Sequence, residues 1–396
     1  MSDPDALARL RAMILADEAL ADRLALIEDR DAFSAAAAEA GRSGGITITA
    51  EAILAGSKRD PLGIERFTGQ QVTTLDWPGR NWLPAALLPA PGQLAIDWVH
   101  FGDAPLLESF FEDSLRRAKR RPINALLKVC TPLGTLGNRP PPDATAAPDG
   151  LIFHMSRCGS TLVSQMLAAM PGSIMVSEAP PLDAIVQLVH SHPEAPLDQR
   201  VTLLRGMAAA LGRDRFGNRR HYVIKTDSWH SLALPLFRAA FPNTPWVFLF
   251  RDPTEVMVSQ IRMRGSQTVP GTELDAVFAI PDPHSLSTED YIARVLNRVT
   301  QAAVDHAEIG GGLFVDYADL PYAVERRILP HFGIEADPEG LAALRAAATW
   351  DAKAPSFAFE PDAENKRRSA SDAVRAASET YLSGLHNDLK TLAARG

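Results

Sequence analysis

Cysteine is almost missing from this sequence: Cys130 and Cys158 are the only two in 396 residues. That is too few for a disulfide framework, and a reducing compartment is the expectation. Excess basic charge is missing as well. Forty Lys and Arg stand against forty-eight Asp and Glu, a net charge of −8, which argues against a nucleic-acid partner and obliges any anionic ligand to find a local basic pocket. No apolar run reaches the roughly 18 residues of a membrane helix. The start, Met1-Ser2-Asp3-Pro4-Asp5, lacks the basic head and apolar core of a secretory signal. A cytoplasmic protein with no membrane partner is therefore expected. What is present is ordinary globular material, 46% hydrophobic and 22% charged, enough for two or three domains at about 150 residues each.

Between about residues 5 and 40, Leu7, Leu10 and Ile14, then Leu20, Leu24 and Ile27, recur at spacings of three and four. This predicts two amphipathic helices, broken at Gly41 to Gly45. The run Asp22-Arg23-Leu24-Ala25-Leu26-Ile27-Glu28-Asp29, then Phe33, Ala38 and Gly41, then Ile46-Thr47-Ile48-Thr49-Ala50-Glu51, resembles the helical Nif11-type leader module of precursor peptides. Residues 1–55 are thus expected to form a helical leader-like module, the alternative being a helical cap with one buried face. Residues 56–148 are richer in Pro and Trp, with one amphipathic helix expected around Leu107 to Arg117 and a linker from Arg139-Pro140-Pro141-Pro142 onward.

From residue 149 to 396 the pattern changes to short apolar runs alternating with helical periodicity. The expected strands are Leu151 to Met155, Ile174 to Val176, Tyr222 to Ile224, Trp246 to Phe250 and Leu313 to Val315. Strands alternating with helices imply right-handed crossovers and a parallel β-sheet flanked by helices, an α/β domain of doubly wound type. Ligands of such sheets bind outside the carboxyl ends of the strands, so the loops following the apolar runs are the places to search.

The first such loop is Ser156-Arg157-Cys158-Gly159-Ser160-Thr161. Small residues let the backbone curl around an anion, and the start of the next helix turns N–H groups towards it. A Walker lysine is lacking, because Gly159 stands where GxxxxGK[ST] requires it. Arg157 supplies the cation instead. A second loop, Arg251-Asp252-Pro253-Thr254-Glu255, carries a capping Asp252, Pro253 at the first helical position and Glu255 to complete a capping box, with Ser259 two turns further on.

Together these loops resemble the sulfotransferases that use 3′-phosphoadenosine 5′-phosphosulfate (PAPS). In that family a strand leads into an Arg/Lys-Ser-Gly-Thr/Ser-Thr loop that grips the 5′-phosphosulfate. A later strand leads into Arg-Asp-Pro, with a serine eight residues after the arginine, and these grip the 3′-phosphate. Lys225-Thr226-Asp227-Ser228-Trp229-His230 resembles the family's Lys-Thr-Pro-x-x-His segment, Phe241-Pro242-Asn243-Thr244 its Phe-Pro-Asp-Ala turn, and Asp316-Tyr317-Ala318-Asp319-Leu320 its late Tyr-Glu-Asp-Leu stretch. Cys158 and Asp227 depart from that pattern, replacing a serine and a proline.

The resemblance implies a PAPS-dependent sulfotransferase, with a P-loop-like fold over about residues 150–395. It would move a sulfonate in line to a hydroxyl or amine of a small-molecule, carbohydrate or peptide acceptor, without a metal. It implies cofactor contacts from Arg157, Cys158, Gly159, Ser160, Thr161, Arg251 and Ser259, and from Lys366 and Arg367 in a late basic loop. Arg157 and Lys225 would stabilise the charge that develops. Glu178, just after the second strand, is the candidate base, with His230 as second choice; a helix N-terminal carboxylate is the alternative for Glu178. His154, inside an apolar strand, reads as core. Two further functional classes stand as alternatives, a P-loop small-molecule kinase and a non-catalytic nucleotide-fold scaffold that recognises a peptide.

Overall fold

Asp17 and Asp29 decide where the first helices begin. Asp17 Oδ1 accepts the Leu20 amide at 3.0 Å and Asp29 Oδ1 the Ala32 amide at 2.8 Å. Each satisfies an N–H that a helix start leaves unpaired. The computed structural model, which describes residues 5–57, 64, 69, 71–145, 147–272, 274–351, 354–358 and 363–395, therefore has three helices where apolar spacing predicts two. These are α1 (Ala6–Ala16), α2 (Glu18–Ala25) and α3 (Arg30–Ser43). Gly41 does not break α3; it lies inside it, where a Cβ would come 3.3 Å from both Leu10 and Ile48. A fourth helix, α4 (Ala50–Gly56), follows under a Thr49 cap.

Two compact units are present. One holds residues 1–146, 180–185 and 205–217, the other 147–179, 186–204 and 218–396. The first contains α1 to α4 and an antiparallel sheet of β1 (Trp82–Ala90), β2 (Gln93–His100) and β3 (Val129–Pro132) in that order. It also has α5 (Phe111–Lys119), which starts four residues later than the Leu107 expectation, and α6 (Pro122–Leu126). His100 closes β2: its Nδ1 accepts the Gly102 amide at 3.0 Å, and its Nε2 lies 3.0 Å from Asp22.

The second unit is built on β4 (Gly150–His154), β5 (Ser173–Ser177), β6 (His221–Lys225), β7 (Trp246–Phe250) and β8 (Gly312–Asp316). All neighbours pair parallel, in the order β5-β6-β4-β7-β8. Along the chain after β4 the helices are α7 (Ser160–Ala168), α8 (Pro180–Ser191), whose start belongs to the first unit, α9 (Leu197–Leu211), whose end does, α10 (Leu234–Ala240), α11 (Pro253–Arg262), α12 (Asp275–Phe278) and α13 (Thr288–Asp305). After β8 come α14 (Leu329–His331), α15 (Pro338–Ala347), α16 (Ala363–Ser369) and α17 (Asp372–Arg395). The basic run Asn365 to Ser369 is thus helical rather than a loop. The middles of the strands are apolar because helices cover both faces, and polar residues such as His154, Ser177, Lys225 and Asp316 fall at their carboxyl ends. Phe153 meets Phe237 and Trp246 edge-on at 5.3 and 6.1 Å, and Trp246 continues the stack to Phe314 at 5.7 Å.

This order positions the chemistry. From β4 the chain proceeds to β5 on one side, and from β7 to β8 on the other. The direction reverses between β4 and β7, and the crevice at their carboxyl ends is where such sheets take ligands. The loops that leave these two strands are the Arg157 and Arg251 loops.

Candidate functional site

The loop after β4 is wound against the usual preference of its residues. Ser156 and Arg157 have φ of +70° and +52°, and Gly159, the N-cap of α7, has +87°. Glu178, immediately after β5, has +48°. Among the described residues only five non-glycines adopt positive φ, and three of them stand at the carboxyl ends of β4 and β5, the two strands that flank β6. Such conformations cost roughly 1–3 kcal/mol each and persist where neighbouring structure enforces them. Here the enforcement is visible. The Ser156 amide donates to His154 Nδ1 at 3.1 Å, and its hydroxyl accepts from Gln260 Nε2 at 3.0 Å and Gln267 Nε2 at 3.3 Å. Arg157 is half-buried at the turn, and Ser160 and Thr161 open α7 as buried residues.

Cys158 faces away from this surface. Its Sγ donates to the Leu249 carbonyl at 3.1 Å, and burial pushes the thiol up to about 12 despite the amides of Met155 and Ser160 and the charges of Lys225 and Arg251. The neighbouring arginine and helix start suggest a lowered value; desolvation wins because the side chain is fully enclosed.

Glu178, Lys225 and His154 form a cluster across β5, β6 and β4. Lys225 Nζ lies 2.6 Å from Glu178 Oε1, and His154 Nε2 lies 3.4 Å from the same oxygen. The Glu178 amide donates to the Lys225 carbonyl at 2.8 Å, which helps hold its left-handed backbone. Burial favours the neutral carboxyl, but the Lys225 charge and the His154 hydrogen bond outweigh it and hold Glu178 well below the usual carboxylate range. The value near neutrality that suits a general base is thus not what this pairing produces. For His154, the Ser156 amide occupies Nδ1, so the proton sits on Nε2, which reaches the Thr226 carbonyl at 3.0 Å. Burial lowers its basicity, partly countered by Glu178. His154 is core by burial and a loop-holding group by its contacts.

Across the switch point, the Arg251 amide donates to Met155 Sδ at 3.3 Å. The Arg251 guanidinium lies 3.9 Å above the Tyr317 ring, and its Nε is 2.6 Å from Glu255. Asp252 caps α11 by accepting the Glu255 amide at 3.1 Å, as the sequence suggests. The Glu255 side chain instead turns to Arg251, because in a helix i and i+4 share one face. Its other oxygen is 3.4 Å from Arg367 of α16. Tyr317 also packs over Gly159, where a Cβ would come 2.7 Å from the ring. One ring thus touches the first loop and the Arg251 loop.

Ser259 is buried on α11 two turns beyond Arg251, and Lys366 is buried on α16. His230 is wholly enclosed, its ring edge-on to Trp229 at 4.6 Å and 5.9 Å from Phe237. Sequence reasoning left Tyr317, Ser156, Gln260 and Gln267 without a role and gave Glu255 that of completing a capping box. Of these only the Arg251/Glu255 spacing carried a readable signal.

The family model described as "Sulfotransferase family" matches residues 151–338, the span that runs from β4 to the start of α15. No curated protein matches the chain. Similar solved structures include sulfotransferase STF1 from Mycobacterium tuberculosis H37Rv, at 17% identity over 61% of this chain and 78% of that one, TM-score 0.35. The sulfotransferase domain of the Synechococcus PCC 7002 olefin synthase is 20% identical over 65% and 97%, TM-score 0.36. A sulfotransferase from Alicyclobacillus acidocaldarius is 13% identical over 64% and 98%, TM-score 0.36. The part of the chain that matches the sulfotransferase family is thus residues 151–338, the span in which the loops of β4, β7 and β8 gather at one sheet edge.

Proposed function

We propose that the protein transfers a sulfonate from PAPS to a hydroxyl or amine by in-line displacement. The observation that carries this reading is the Tyr317 ring, which joins the Gly159 turn to the Arg251 guanidinium and so brings two cation-bearing loops to one place. The donor set suits a nucleotide with anionic groups at both ends. Arg157 and Lys225 serve one end, Arg251 and Arg367 the other; Glu178 lies against Lys225, and Glu255 against Arg251 and Arg367.

PAPS would supply an activated sulfonate and a stable leaving group. Arg157 and the backbone of Cys158, Gly159, Ser160 and Thr161 would hold its 5′-phosphosulfate; Arg251, Ser259, Lys366 and Arg367 would hold the 3′-phosphate. Little covalent work falls to the protein in such a transfer, and cations placed where charge develops do most of it. As the acceptor oxygen or nitrogen bonds to sulfur and the sulfur–oxygen bond to the nucleotide breaks, Glu178 takes the acceptor proton. Paired with Lys225 it is a weak base. Lys225 drawn towards the sulfonate oxygens relieves that pairing, and the carboxylate gains basicity when it is needed. The acceptor is a small molecule, carbohydrate or peptide, and the site lies in a cytoplasmic protein.

Thermal unfolding tests the reading. Adenosine 3′,5′-bisphosphate should raise the melting temperature more than ATP with magnesium does, and Arg251→Ala should abolish that rise. An unchanged rise in the variant would refute the phosphate assignment. Radiolabelled sulfate passing from PAPS into any cell-extract component would establish turnover.

A further inference from the structure

Ser156 is held by its backbone amide and by its hydroxyl at once. Its backbone is left-handed, and so is that of Arg157 after it. Two successive non-glycine residues in this region cost about 1–2 kcal/mol each relative to right-handed backbone, so a released turn would relax and carry Arg157 elsewhere.

Three groups prevent this. His154 Nδ1 takes the Ser156 amide. Gln260, fully buried on α11 directly after Ser259, donates Nε2 to the Ser156 hydroxyl, while its Oε1 accepts the Gly265 amide at 2.9 Å and the Thr268 hydroxyl at 3.4 Å. The Gly265 bond fixes which end of the amide is nitrogen. Gln267 donates to the same hydroxyl and also to Ser228 Oγ at 3.2 Å, in the turn after β6. One hydroxyl therefore ties the loop after β4 to α11 and, through Gln267, to the segment after β6.

We propose that Gln260 and Gln267 are positioning residues acting through the Ser156 hydroxyl. They lock the turn that presents Arg157 and set its register against α11, the helix that begins at Arg251 and carries Ser259. The separation between the two anion-holding regions is then fixed by a buried hydrogen bond rather than by a free loop. This rests on the nucleotide reading above for its consequence, but not for its geometry.

The test compares Ser156→Ala with Ser156→Gly. Both remove the hydroxyl, but glycine adopts positive φ without strain and alanine does not. Adenosine 3′,5′-bisphosphate binding by calorimetry should weaken about tenfold in Ser156→Ala, the loss expected from one unsupported left-handed residue. Ser156→Gly should lose clearly less. Hydrogen exchange over residues 155–161 should rise in Ser156→Ala and less in Ser156→Gly. Gln267→Ala, at a half-exposed turn, repeats the comparison should Ser156→Ala not fold, and should likewise raise exchange over 155–161. Equal losses in alanine and glycine would show that the hydroxyl itself matters to the ligand and overturn the proposal; so would unchanged exchange in Ser156→Ala or in Gln267→Ala. Failure of the wild type to bind the nucleotide while the exchange pattern holds would instead sink the PAPS reading alone.

Discussion

The guanidinium of Arg251 rests 3.9 Å above the ring of Tyr317, with Glu255 2.6 Å from its Nε. The face of the cation is set by an aromatic surface and its inner corner by a carboxylate, so the arginine is oriented before any anion arrives. A desolvated cation–π contact of this kind contributes on the order of 2 kcal/mol.

Tyr317→Phe keeps the ring and should bind adenosine 3′,5′-bisphosphate within about twofold of wild type, whereas Tyr317→Leu should weaken binding by roughly tenfold. Isothermal titration calorimetry decides this. Equal affinities for the leucine variant and the wild type would mean that the stack does not orient Arg251.

Gly159 is the second point of contact with that ring. A methyl group there would approach Tyr317 to 2.7 Å and Leu320 to 2.9 Å, on a backbone at φ +87°. Gly159→Ala should destabilise the protein by about 1–3 kcal/mol and remove nucleotide-induced stabilisation. Urea titrations with and without adenosine 3′,5′-bisphosphate would measure both, and a variant that matches wild type in each would contradict the packing described.

Replacing Glu178 by Gln leaves the buried Lys225 ammonium without its counter-charge. At pH 7, Glu178→Gln should cost about 3–5 kcal/mol. Because the folded carboxyl lies below its ordinary value of 4.5, the wild-type advantage is fully present above that pH. It fades as pH falls through the range below 4.5, where the unfolded chain takes up a proton that the folded one refuses. Denaturation curves at pH 7, 4 and 3 should show the two proteins converging. A gap that widens on acidification would mean that the carboxyl is not held ionised by Lys225.

Neither cysteine is available to solvent. Cys130 and Cys158 are both free and buried, and burial lifts each thiol to about 12. Ellman's reagent at pH 8 should find no reactive thiol in the native protein and two after addition of guanidinium. A fast-reacting thiol in the native state would contradict the burial of both side chains.

Much of the parallel-sheet unit was readable before any coordinates. Strands buried on both faces appear as unbroken apolar runs, and all five runs, from Leu151 to Val315, became strands. The arginine loops were readable because they follow those runs directly. The helical start was not, because apolar spacing is blind to Asp17 and Asp29, whose side chains end one helix phase and begin another. Glu255 was misassigned for a different reason. A glutamate three residues after a capping aspartate and four after an arginine satisfies two local rules at once, and only the fold reveals that the ion pair prevails. Tyr317 over Gly159 joins distant parts of the chain, and no local pattern announces such a meeting.

His100 and His154 each end a strand, each accept at Nδ1 the amide two residues on, and each approach a carboxylate with Nε2. The two turns share no sequence beyond the imidazole. At His154, whose burial lowers its basicity, a proton forced onto Nδ1 would turn that acceptor into a donor facing the Ser156 N–H. Acid strong enough to put it there would push the strand exit open, and asparagine in that place would offer an acceptor that does not switch.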